Sequence, residues 1–118
     1  MNWRKELTHY TIDEDHVVHG PFSFDDWLDW ALEVEDFAVY ERLCIVARTQ
    51  IDGDCEVRTD FLRGMNIQFR PGGPPLLFET MVFGGEHAQE IDRYATWAEA
   101  EAGHQRMVER VMAGKPED

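Results

Sequence analysis

Residues 43–61, LCIVARTQIDGDCEVRTDF, decide the fold, because here the hydrophobic pattern changes from a helical period to a period of two. Cys44, Val46, Val57, Thr59 and Phe61 share one face of the resulting strands, and Glu56, Arg58 and Asp60 share the other, so one side of the sheet is expected to be wet. Asp52-Gly53 supplies the tight turn of a hairpin, a register that sets Ile51 opposite Asp54 and Cys44 opposite Phe61. Cys44 and Cys55 then lie too far apart along the strands for a disulfide and read as reduced core thiols. Neither belongs to a CxxC pair or has an adjacent His, which argues against a nucleophile or a zinc ligand.

Outward from this hairpin, Met65, Ile67 and Phe69 keep the odd positions apolar, so the second strand is read as continuing, bent near Arg63-Gly64, up to a turn over Arg70 to Pro75. Leu76 to Phe83 is almost continuously apolar, as a central or doubly covered strand requires, and Gly84-Gly85 stops it. On the N-terminal side, Ser23 offers an N-cap, and Phe24, Trp27, Leu28, Ala31 and Val34 recur at helical spacing through about Phe37. On the C-terminal side, Thr96 and Glu99 form a capping box that opens a helix with the inner stripe Trp97, Ala100, His104, Met107, Val108 and Val111, closed by Gly114 and Pro116. The reading is an α+β domain, an antiparallel meander of three or four strands packed on one face by helices near 24–37 and 96–113. Residues 1–22 read as a polar N-terminal extension ending in a turn at Gly20-Pro21, residues 23–114 as the domain, and residues 115–118 as a tail.

The chain has 118 residues, enough for one core and too few for two. Asp and Glu number 24 against 11 Lys and Arg, a net charge of -13. A polyanion repels nucleic acid and anionic lipid, so direct nucleic-acid binding is not expected. The first residues, MNWRKELTHYTIDEDH, lack the apolar run of a signal peptide, and no window approaches a membrane helix. The expected home is the cytoplasm, with no membrane contact, and nothing in the sequence requires a cofactor.

Three blocks carry a resemblance: VRTDFLRG from Val57, PPLLFETMVFGG from Pro74 to Gly85, and RYATWAEAEAGHQRMVERV from Arg93 to Val111. On these, residues 54–112 resemble a family of small bacteriophage and bacterial proteins with no established activity. Where that family usually has GLDH after the Phe-Leu pair, this chain has RGMNIQ from Arg63 to Gln68, so a role for that Asp-His pair is not carried over. The resemblance implies a phage or prophage accessory protein in the host cytoplasm, and it implies no reaction. The lead of residues 1–22 lies outside the usual pattern.

His104 sits mid-stripe in the last helix, and Glu79 interrupts the apolar run Leu77, Met81 and Phe83. Both are costly to bury alone, and a hydrogen bond between them would satisfy both. Such a pair is either structural or a general base in a pocket, and no Ser, Cys or third carboxylate completes a catalytic set. His16 and His19 follow Asp13, Glu14 and Asp15, residue types that suit zinc or nickel, but spacing by three brings two histidines together only on a helix, which Gly20-Pro21 disfavours. A solvated loop is the plainer reading. Pro71-Gly72-Gly73-Pro74-Pro75 is a turn and not a phosphate loop, since no helix or Lys follows it.

The first helix carries the unusual charge pattern. At 100° per residue, Asp25, Asp26, Asp29, Glu33 and Asp36 fall within an arc of about 100°, opposite the apolar stripe. Like charges at i and i+4 cost a few tenths of a kcal/mol each, and no Lys or Arg lies in the helix to offset them. Residues 1–40 hold two basic and ten acidic residues, net -8, against nine and fourteen, net -5, in the remainder. A ridge of this kind can imitate a phosphate backbone and occupy the basic groove of a host nucleic-acid-binding protein, or it can be a solvated face that only aids solubility. The expected function is a non-enzymatic interaction protein that binds a basic host protein through the acidic ridge. A small enzyme or ligand-binding domain around His104 and Glu79 is the alternative, and a homo-oligomeric structural protein is a third reading, marked by Trp or Met side chains on an exposed sheet face.

Overall fold

The computed structural model describes residues 7–62 and 74–113. Along the chain run β1 (His9–Ile12), β2 (Val18–Phe22), α1 (Phe24–Glu33), α2 (Phe37–Cys44), β3 (Ile45–Asp52), β4 (Cys55–Phe61), β5 (Phe78–Phe83), β6 (Ile91–Tyr94) and α3 (Trp97–Ala113). Strands β3-β4-β5-β6 form an antiparallel four-stranded meander, and β1 and β2 form a separate two-stranded sheet. The protein is an α+β fold with its helices packed on the sheet.

Alternation in β4 builds the main core. Cys55, Val57, Thr59 and Phe61 are all buried and face α3, which lies across all four strands of the meander. Phe61 and Phe78 meet edge to face at 5.2 Å, and each full burial of such a ring contributes about 1.5–3 kcal/mol. Ile12, Val34, Leu43, Cys44, Leu77, Tyr94 and Ala100 extend this cluster. Cys55, Val57 and Val82 form a second cluster with Met107, Val108 and Val111 of α3. Both cysteines are buried thiols outside any disulfide, one in each cluster.

Four sequence expectations need correction. The hairpin turn is Gly53-Asp54, with Asp52 opposite Cys55, and irregularities at Gln50/Asp52 and Ile45/Ala47 shift the register along β3. Leu43 and Cys44 are therefore the last turn of a helix and not strand residues. The first helix also ends early. Val34, 0% exposed, turns into the core, and Asp36 becomes the N-cap of α2, its carboxylate accepting from Ala38 N at 2.9 Å. The expected wet face of β4 is not uniformly wet, because Tyr40 of α2 donates to Asp60 and helps to bury it. Burial, and then this bond to a carboxylate, push the Tyr40 hydroxyl well above its usual range.

Two segments read as polar turn or loop are ordered strands. Gly20-Pro21 lies inside β2, joined by a cis bond, at a register break opposite β1 that accommodates a residue with no N–H to donate. Ile12 of the same hairpin is 1% exposed and belongs to the core. Ile91–Tyr94 pairs with β5 as the fourth strand of the meander. Two glycines are required by geometry. Gly84, at φ +78°, ends β5 so close to the Asp54 carbonyl that a Cβ would lie 1.8 Å from it, and a Cβ on Gly103 would lie 2.1 Å from the Tyr94 ring. The strand continuation at Met65, Ile67 and Phe69, the turn from Arg70, the RGMNIQ departure, the Gly114 and Pro116 stop and the 115–118 tail lie outside the described residues.

Candidate functional site

The acidic ridge rests on α1. Ser23 Oγ accepts from Asp26 N at 3.3 Å and opens the helix, while Asp25 and Asp26 occupy the first turn, where the helix dipole favours negative charge. The opposite side of α1 is aromatic. Trp30 Nε1 donates to the Ile12 carbonyl at 3.0 Å and its ring meets Phe61 edge-on at 5.8 Å. Trp27 packs against the His9 ring at 4.7 Å and Phe24 at 5.6 Å. These contacts hold α1 onto the β1–β2 hairpin and turn Asp25, Asp26, Asp29 and Glu33 outward, all four exposed. Asp36 is exposed as well, but the break at Val34 removes it from the ridge and sets it at the start of α2. The helix-borne ridge is thus four carboxylates. α1 contains no fully buried residue, so its burial contributes little of the core.

His104 and Glu79 do not meet. Along β5, Phe78, Thr80 and Val82 face α3, so Glu79 points to the other side of the sheet, where Arg93 Nε donates to it at 3.2 Å. His104, 2% exposed, is held by threonines. Tyr94 OH donates to Thr80 Oγ1 at 3.1 Å, and Thr80, Thr59 and His104 Nδ1 continue the chain, the last step at 2.8 Å. Either hydroxyl can donate in the Thr59–Thr80 bond, and His104 Nε2 lies 2.8 Å from Thr49 Oγ1, so both ring nitrogens have a threonine partner. Burial holds this imidazole below its ordinary pKa. Thr59 was visible in the sequence as part of the apolar face, but the threonine set was missed, since two isolated hydroxyls in strands carry no motif. A shallow hollow of about 450 Å³ at β6 is lined by Leu76, Ile91, Asp92 and Arg93, and His104 and its threonines are not part of it.

His16 and His19 diverge. Asp13 Oδ1 accepts from the backbone N–H of Asp15 and Val17 and shapes the β1–β2 turn, and its Oδ2 pairs with His19 Nε2 at 2.7 Å. Hydrogen bonding, first from His19, holds the Asp13 carboxyl below its usual range. His16, at φ +61°, instead stacks on Trp97 at 3.9 Å and places Nε2 3.1 Å from the Arg42 carbonyl. Beside it, Arg42 makes a two-pronged pair with Glu14, both contacts at 2.9 Å. The two histidines thus fasten the turn to different places instead of sharing an ion. Among the described residues, no group of three His, Cys, Asp or Glu is placed to hold a metal, and no helix is long and apolar enough to cross a membrane. No protein-family model, curated protein or solved structure matches the chain.

Proposed function

We propose that this chain is a non-enzymatic interaction protein that binds a basic partner protein through the α1 ridge of Asp25, Asp26, Asp29 and Glu33. The observation that supports the reading most is that α1 presents these four exposed carboxylates in 10 residues with no Lys or Arg among them, while burying no residue fully. The i and i+4 repulsions of Asp25 with Asp29 and of Asp29 with Glu33 cost a few tenths of a kcal/mol each. A basic partner would recover that energy and be steered toward the ridge from a distance. The spacing of the carboxylates along one helix face suits the groove of a nucleic-acid-binding protein, and the phage-type resemblance of residues 54–112 makes a host factor of that kind the proposed target. Acting in the host cytoplasm, such a protein would compete with nucleic acid for the same groove.

The test is an affinity capture from bacterial lysate, comparing the parent with a variant carrying Asp25→Asn, Asp29→Asn and Glu33→Gln. Recovery of a basic nucleic-acid-binding protein by the parent alone, released as salt rises, is the expected result. Equal recovery by both chains, or none by either, sinks the reading.

A further inference from the structure

We propose that His104 is an acid-operated latch, whose protonation releases the part of α3 that follows Gly103 and leaves the rest of the fold in place. The position of the ring makes the event local. His104 lies between the two core clusters, with Ala100, one turn before it, in the first and Met107, Val108 and Val111, after it, in the second. The first cluster is held from several elements, since Ile12 of β1, Leu43 of α2 and Phe61 of β4 all belong to it. In the second, among the described residues, Met107, Val108 and Val111 are the only helix residues set against Cys55, Val57 and Val82 of the sheet. Loss of the last part of α3 therefore opens one cluster and spares the other. Gly103 supplies the point of parting, because a glycine weakens a helix interior and this one is required by the close approach of the Tyr94 ring.

A neutral ring holds the latch closed. Nε2 lies 2.8 Å from Thr49 Oγ1 and Nδ1 2.8 Å from Thr59 Oγ1, so the neutral imidazole accepts one hydrogen bond and donates the other. No carboxylate stands by to balance a second proton. α3 packs on β3, β4, β5 and β6, and the charged or titratable groups that these strands turn to its side are few. β3 offers Asp52 at its far end, where the exposed carboxylate accepts from Asp54 N at 2.8 Å, and β4 offers the Cys55 thiol. β5 offers none, and β6 offers Tyr94 and Asp92. Asp92 is exposed and paired with Thr80, two strands and about 10 Å from Thr59. The charged residues of α3 itself are all exposed. Burial holds the His104 ring below its ordinary range and raises the Tyr94 hydroxyl, so both are uncharged at neutral pH.

Protonation in place would leave an imidazolium buried without a counter-charge, and opening relieves it by giving the ring to water. Linkage fixes the direction. The opened ring has an ordinary pKa near 6.5 and the closed ring a lower one, so opening takes up a proton. The latch therefore stays shut above about pH 6.5, and below it the open fraction gains up to about tenfold for each pH unit, until the closed ring itself titrates. In acid, Val57, Val82 and the apolar side of the released segment become a surface that the neutral protein keeps covered. The device is separate from the acidic ridge and does not rest on the reading of α1.

The experiment is labelling of the full chain with a pyridyl disulfide across pH, read by mass spectrometry of the two cysteine peptides, with each rate divided by that of the urea-unfolded chain at the same pH. Cys55, 3% exposed, lies in the cluster that opens, and Cys44, 0% exposed, in the cluster that does not, so the parent carries its own control. The proposal requires Cys55 labelling to rise by up to about tenfold between about pH 7.5 and 5.5 while Cys44 labelling stays flat. The rise at Cys55 should vanish in His104→Asn, and His104→Gln takes its place if that variant loses its circular dichroism. Cys55 labelling that stays flat, Cys44 labelling that rises with it, or a rise that persists in the folded His104 variant overturns the proposal.

Discussion

Helices α1 and α3 begin alike and end in opposite roles. Each opens on a side-chain cap, Ser23 for α1 and the Thr96-Glu99 box for α3, where Glu99 N donates to Thr96 Oγ1 at 3.1 Å. From there α3 buries Ala100, Gly103, His104, Met107, Val108 and Val111, whereas α1 buries none of its residues fully. Tertiary packing supplies most helical stability in proteins, so α3 is a beam of the fold and α1 a presented surface held by its aromatic side. The contrast separates residues that cannot change without loss of structure from residues that are free to serve a partner.

The contrast breaks most visibly at Gly103. A side chain there meets the Tyr94 ring at 2.1 Å and lifts α3 from the sheet. Gly103→Leu should cost at least about 1–3 kcal/mol in urea denaturation despite the better helix propensity of Leu, and stability equal to the parent would show that α3 is not seated as described. His104→Ala has an effect of the same order. It leaves the Thr59 and Thr49 hydroxyls without their imidazole partner and opens a cavity, an expected loss of about 1–3 kcal/mol by the same measurement.

A pH series sharpens the point without altering the fold. Burial lowers the His104 pKa from 6.5, so the unfolded chain binds the proton more readily than the folded one. The stability tied to neutral His104 is therefore present above about pH 6.5 and is lost as pH falls below it toward the folded value. His9 is shifted the same way by burial, so the measurement is the difference between the parent and His104→Asn. The parent should lose more stability than the variant between pH 7.5 and 5.5, and parallel curves would place His104 outside the threonine chain.

On α1 the effects shrink. Trp30→Phe removes the donor to the Ile12 carbonyl and should cost about 1 kcal/mol, read as faster amide exchange in residues 9–22 while α3 stays protected. Exchange that quickens equally in α3 would mean that the two helices form one cooperative unit.

The elements legible from sequence were those whose pattern has one phase. The β4 alternation from Cys55 to Phe61 and the α3 stripe each fit a single face, and the Ser23 and Thr96 caps marked their helices at the observed places. The run Leu76 to Phe83 is apolar in both phases, so parity alone could not say that Phe78, Thr80 and Val82 face α3, and Glu79 was set on the wrong side. Val34 continued the α1 stripe without a break, and its burial in the core, which ends the helix, is a tertiary effect with no local signal. β6 carries Asp92 and Arg93 among four residues and owes its existence to β5 beside it. The hairpin of residues 9–22 is likewise defined by docking, through Ile12 in the core and His16 on Trp97. Of the candidate site, the four α1 carboxylates were legible because charge at helical spacing needs no tertiary knowledge. The threonines around His104 were not, since their meeting depends on the registers of β3, β4 and β5.

The most direct measurement is made on one preparation of an Asp29→Asn, Glu33→Gln chain, following urea denaturation and capture of the basic partner side by side with the parent. The account predicts stability equal to the parent or a few tenths of a kcal/mol higher, as like-charge repulsion is relieved, together with loss of capture. A clear loss of stability, or capture that persists undiminished, would contradict the claim that the carboxylates of α1 serve a partner and not the fold.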